Sequence, residues 1–183
     1  DLRPLKAGVL HERETVRHAA WAAAAWTAPQ HTLGGVRQRA QAGDPVAWHW
    51  LAVLGQPQDA PLILQAVQAM ASGPQRCQLL ARFGHPMAFE LLMTWMAGED
   101  VALAVAAREA FTRLTGQDIR GQRRAMPVAD AADDFERDVA PDVWLPDLTR
   151  AAQLMAQHGE RWREGTRWCE GHRLDGPMDA ERL

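Results

Sequence analysis

One lysine, one serine, no tyrosine and two cysteines are all that 183 residues contain of those four types, and each shortage closes a route. Ser72, the sole serine, sits in a Ser-Gly-Pro turn and is not placed as a nucleophile beside a base. Cys77 and Cys169 are too few and too far apart for a disulfide framework or a zinc site. Cys77 falls within an apolar helical pattern and reads as a small core residue. No glycine-rich phosphate loop is present, because Gly34-Gly35 lacks the lysine and the preceding strand. No apolar run approaches the roughly 20 residues that span a bilayer. No basic, apolar, small-residue leader opens the sequence, so the expected location is the cytoplasm. The sequence starts at Asp1 without Met and reads as a fragment of a longer protein or a processed chain.

What is present is ordinary in bulk. Hydrophobic residues at 47% and charged residues at 23% fit a soluble globular domain with a core of its own. A net charge of −3 with a pI near 6.2 removes any global field toward nucleic acid or an acidic membrane surface. The excess of Ala and Arg over Lys reads as coding bias.

Order appears between Pro29 and Gly116. Residues 29–56, 57–85 and 86–116 each open on a proline, run an apolar helical pattern, break, run a second one and stop at or near a glycine. The opening prolines are 28 and 29 positions apart. The breaks fall at Gly43-Asp44-Pro45, Ser72-Gly73-Pro74 and Gly98-Glu99-Asp100. Asp44 is placed to cap a helix with Pro45 in its first position, and Gln58 or Asp59 to cap the helix opening the second repeat. Gly55, Gly84 and Gly116 read as stops. A helix over residues 12–27 precedes the repeats, behind a short apolar turn containing Leu2, Leu5, Val9 and Leu10. Stacked helix pairs of this size bury a continuous core once about three are present.

The junctions Leu54-Gly55-Gln56-Pro57-Gln58-Asp59-Ala60 and Phe83-Gly84-His85-Pro86-Met87-Ala88 resemble the leucine-glycine-x-proline-x-alanine junction of short HEAT-like repeats, the bacterial kind also seen in phycobilin-lyase-type proteins. The resemblance covers about residues 16–116. Residues 107–116, with the Pro-Asp, Trp and Gly-Thr-Arg-Trp elements further on, are also similar to an uncharacterised bacterial family of HEAT-repeat proteins. The resemblance implies an all-α solenoid, an α-α superhelix of about three helix hairpins. It brings no catalytic residue.

After Gly116 the period is lost. Arg120, Arg123 and Arg124 form a basic cluster, followed by Asp130, Asp133, Asp134, Glu136 and Asp138. The organisation expected is therefore a repeat domain over residues 1–116, a charged loop or linker over 117–145, and a C-terminal helix and tail over 146–183 capping the last repeat. The helix is expected at about residues 146–163, and Trp144, Trp162 and Trp168 are expected to dock this part. Trp21, Trp26, Trp48, Trp50 and Trp95 lie on repeat helices as core or groove wall.

Few residues offer chemistry. His11-Glu12 is the only His-Glu pair, whereas the HEAT-like deoxyhypusine hydroxylases build a di-iron site from several, and a metal needs converging ligands. His49, His85 and the loose set His158, Glu160, Cys169, Glu170 and His172 match no structural zinc spacing. No metal and no cofactor are expected. The reading is a non-enzymatic adaptor or scaffold that binds another protein through Trp48, Trp50, Arg108 and Arg113, with Arg120, Arg123 and Arg124 at the edge. The alternatives are a nucleic-acid or phosphate binder through the arginine cluster, as in HEAT-like DNA glycosylases, or a lyase-like or glycosylase-like enzyme using the concave groove.

Overall fold

The computed structural model describes residues 3–27, 29–127, 141–163 and 166–174. The described residues divide into two compact units, one within positions 3–70 and one within positions 71–174. Among the described residues it is mostly helical, with two small two-stranded antiparallel sheets.

The first unit holds α1 (Arg3–Val9), α2 (Glu14–Thr27), α3 (Pro29–Gln41), α4 (Pro45–Leu54), a single 3-10 turn (Pro57–Asp59) and α5 (Ala60–Ala69). Each helix packs on the next, and α1 also touches α3, α2 touches α4 and α3 touches α5. Apolar residues at helical spacing make the core: Trp21 and Ala24 from α2, Val36 from α3, Ala47 and Leu51 from α4, Ile63 and Ala66 from α5.

Two carboxylates tie this unit together. Asp44 caps α4, accepting from the backbone N–H of Val46 at 3.0 Å and of Ala47 at 3.3 Å, with Pro45 in the first turn. Its other oxygen accepts from Arg17 Nη2 of α2 at 3.0 Å. Asp59 makes no side-chain cap to α5. It accepts instead from the Gln56 N–H at 2.8 Å and from Arg37 Nε and Nη2 at 2.7 and 2.9 Å, a two-pronged pair that joins α3 to the approach to α5. The hydrogen bond to buried Asp59 raises the Arg37 pKa. Gly55 ends α4 in extended backbone, φ −63°, which any residue adopts. The stop there belongs to the proline-led turn that follows.

The second unit holds α6 (Pro74–Phe83), α7 (Ala88–Met96), α8 (Val101–Thr115), β1 (Arg120–Ala125), β2 (Asp142–Pro146), α9 (Leu148–Trp162), β3 (Arg167–Cys169) and β4 (His172–Leu174). α8 is the hub, packed by α6, α7, β2 and β3. Asp100 starts it by accepting from the Leu103 N–H at 3.0 Å, and Gly116 stops it at φ +67°. Gly84 stops α6 in the same left-handed way, φ +75°. Trp162 docks α9 against α7 and α8, with its ring 5.6 Å from Phe89 and 6.2 Å from Phe111, which lie 5.7 Å from each other.

Three expectations change. The charged stretch read as loop contains β1, paired with β2, so the fold is not purely helical. Residues after 163, read as a polar tail, contain the β3–β4 hairpin, whose first strand is buried throughout. The second repeat, residues 57–85, contributes α5 to the first unit and α6 to the second. The acidic run from Asp130 to Asp138 lies outside the described residues.

Candidate functional site

β1 and β2 form a two-stranded antiparallel ribbon whose first strand is exposed at five of its six positions. The register sets Arg120 opposite Pro146, Arg123 opposite Trp144, Arg124 opposite Val143 and Ala125 opposite Asp142, with an irregularity between Arg120 and Arg123. Residues directly opposite in an antiparallel pair share a face. Trp144 is therefore on the face of Arg123, and the irregularity brings Arg120 to the same ring. The two guanidinium carbons lie 5.7 Å (Arg120) and 5.4 Å (Arg123) from the ring centroid. Trp144 is 38% exposed, with two cations over its ring.

Each of those cations has a carboxylate. Arg120 pairs with Asp118, Nε at 2.7 Å and Nη2 at 2.6 Å, and the Asp118 carboxylate also accepts from the Arg120 N–H at 3.0 Å. The side-chain hydrogen bond lowers the Asp118 pKa and raises that of Arg120. Arg123 Nη2 lies 3.3 Å from Asp142. Arg124 is exposed and has no ion-pair partner among the described residues. Three arginines against two carboxylates leave about one unbalanced positive charge on the ribbon.

The other expected residues sit elsewhere. Trp48 and Trp50 are in the first unit and half-buried. Trp48 Nε1 donates to the Ala40 carbonyl at 3.0 Å, which fixes its ring to α3, and Trp50 meets His49 edge-on at 6.2 Å. Arg108 is buried on α8, its Nη2 pairing with Glu109 at 2.9 Å, and its charge reaches Asp118. Arg113 is half-buried, close enough to Arg82 that its charge adds to the effect of burial in lowering the Arg82 pKa.

Among the described residues, no three His, Cys, Asp or Glu side chains gather as a metal site. His11 accepts from the Arg13 N–H, His158 lies against Trp162 at 5.4 Å, and His172 and Glu170 are exposed. Burial pushes the Cys77 thiol up to about 12, so it carries no thiolate near neutral pH. Trp26 is the most exposed large apolar residue of the first unit, at 82%.

The three arginines stand out in the sequence as a cluster; the ring that Arg120 and Arg123 share does not. Trp144 reads from sequence as a docking residue, and nothing in the sequence joins Asp142 to Arg123. A local signal exists for Asp118, since two residues before Arg120 is the spacing of an Asx turn. The pairing of Arg123 with Asp142 depends on a register that joins residues far apart in the chain. No protein-family model, no curated protein and no solved structure matches this chain.

Proposed function

We propose that the chain is a non-enzymatic binding protein, an adaptor built on HEAT-like helix pairs that engages another protein through the β1–β2 ribbon. The observation that carries this is Trp144, exposed and with the guanidinium groups of both Arg120 and Arg123 over its ring. Tryptophan and arginine are the residues most enriched at the energetic centres of protein interfaces. Here their ion pairs hold them in place beforehand, which lowers the side-chain entropy lost on docking. Nucleic acid fits less well. Affinity for a duplex grows with the number of phosphates neutralised, and two of the three ribbon arginines already face carboxylates.

The test is capture with the chain as bait and quantitative mass spectrometry. A partner retained by the parent and by Trp26→Ala, and lost with Trp144→Ala and Arg123→Glu, is the expected result. Two outcomes overturn the proposal: Trp144→Ala keeps every protein the parent keeps, or DNA retarded in a gel by the parent is released by Arg123→Glu.

A further inference from the structure

Among the described residues the ribbon has two strands, β1 and β2. Along its other side β1 has no backbone partner among the described residues. Five of its six residues are exposed. A strand of this kind presents a row of unpaired N–H and C=O groups, the template for adding a further strand. From this edge and the charges beside it we infer that β1 accepts an extended peptide segment of the partner as a third strand, one carrying a carboxylate opposite Arg124. This rests on the adaptor reading above and names the partner's chemistry.

The two faces of the ribbon specify the segment. Side chains of an added strand alternate between faces. On one face they meet Arg123 and Trp144, where the cations are already matched by Asp118 and Asp142 and the open surface is the indole ring. An apolar side chain belongs there. On the other face they meet Arg124 beside Val143, and Arg124 lacks an ion-pair partner among the described residues. A carboxylate belongs there, because a guanidinium and a carboxylate pair through two parallel hydrogen bonds. The pattern is thus alternating, acidic on one side and apolar on the other. Backbone hydrogen bonds along the edge supply affinity and the alternate side chains supply selectivity. A single unbalanced charge suffices for such a ligand, although it is too little for a polyphosphate chain. A second copy of this chain is a poor occupant, since pairing β1 with β1 brings two arginine-rich strands together.

The probe is an end-labelled octapeptide alternating glutamate and valine, titrated with the whole chain and read by fluorescence anisotropy at about 0.15 M salt. Saturable binding in the micromolar range is expected. Arg124→Glu should weaken it at least tenfold, and Arg124→Gln less, while Arg150→Glu, at an exposed position of α9, should change it less than twofold. Circular dichroism confirms that the variants fold. Two further peptides are methylated on every second backbone nitrogen, one in each frame. Strand addition requires that one frame abolish binding and the other preserve it, because only alternate N–H groups face the protein. Equal binding of both frames overturns the inference in favour of simple charge attraction, and absence of saturable binding up to 1 mM overturns it outright. If that happens while Trp144→Ala still strips a partner in the capture experiment, the adaptor reading survives without strand addition.

Discussion

The second unit contains two short antiparallel β-structures, each with arginine close to tryptophan, and they have opposite fates. In the β1–β2 ribbon the arginines stand in solvent, pair with carboxylates and flank Trp144. In the β3–β4 hairpin, Arg167 and Trp168 are buried, 8% and 2% exposed. What separates them is which unsatisfied groups lie within reach. α6 and α8 end with carbonyls that lack intrahelical partners, and the hairpin supplies donors to both ends. Arg167 donates through Nε to the Phe83 carbonyl at 2.6 Å and through Nη2 to that of Arg82 at 3.2 Å. The Trp168 N–H donates to the Gly84 carbonyl at 2.7 Å, and those of Glu170 and Gly171 to Arg113 and Leu114. A cation at a helix C-terminus also suits the helix dipole. Among the described residues the ribbon strands donate to no such ends, so their arginines remain a surface. One hairpin completes the fold and the other is left to meet something else.

Truncating the two tryptophans should separate the hairpin from the ribbon by the largest margin. Trp168→Ala should cost about 3–5 kcal/mol, the range for removing a large buried aromatic side chain. Its Nε1 has no hydrogen-bond partner among the described residues, so Trp168→Phe should recover most of the loss. Trp144→Ala should cost only about 1–2 kcal/mol, mainly two exposed cation–π contacts, while removing partner binding. Urea denaturation of the three variants measures this. Equal losses at positions 144 and 168 would mean that the ribbon, too, is part of the fold's framework.

A second test replaces the glycines at the two contacts. A Cβ on Gly84 would stand 2.5 Å from the Trp168 carbonyl oxygen, and φ is +75°. Gly84→Ala therefore combines left-handed strain with displacement of the hairpin, about 2–4 kcal/mol in all. Gly121 on β1 has no positive φ, and its nearest backbone neighbours are at 3.2 Å. Gly121→Ala should cost about 1 kcal/mol or less. Thermal melts of the pair report the difference, and a mild Gly84→Ala would show that the hairpin adjusts freely.

Why the hairpin escaped sequence reading follows from the same contacts. Helices are written locally, and Asp44, Asp100 and the prolines announced theirs; so did Gly84 and Gly116 as stops. The residues that make β3 and β4 are Arg167, Trp168, Cys169, His172, Arg173 and Leu174, too short a run for any period to appear. They are strands because carbonyls at positions 82–84 and 113–114 need donors, a requirement held 50 or more positions away. The ribbon was half legible. Its arginines were visible as a cluster, but the ring that unites Arg120 and Arg123 comes from Trp144, brought in by strand pairing. Asp59 shows the same limit in the first unit, since its partner Arg37 belongs to another helix.

The smallest effect is a dependence on pH that the hairpin has and the ribbon lacks. His85 lies half-buried just past α6, stacked on Phe83 at 5.9 Å, and the Arg167 guanidinium covers that same Phe83 ring at 5.2 Å. Its Nδ1 accepts from the Met87 N–H at 3.2 Å, which requires that nitrogen to be unprotonated. Burial first, and then the charge of Arg167, lower the His85 pKa below its ordinary value near 6.5. The unfolded chain therefore takes up this proton at higher pH than the folded one, and stability rises with pH between the two pKa values. The penalty is absent above about pH 7 and grows as pH falls through 6.5 toward the folded value. Partial exposure screens it, so the effect should be on the order of 1 kcal/mol or less. His85→Asn keeps an acceptor for the Met87 N–H without the titration. Denaturation midpoints from pH 7.5 to 5.5 should fall more steeply for the parent than for this variant, and parallel curves would remove His85 from the account. Arg123→Met on the ribbon should leave the slope over that window unchanged, because it touches neither His85 nor the Arg167 and Phe83 side chains beside it.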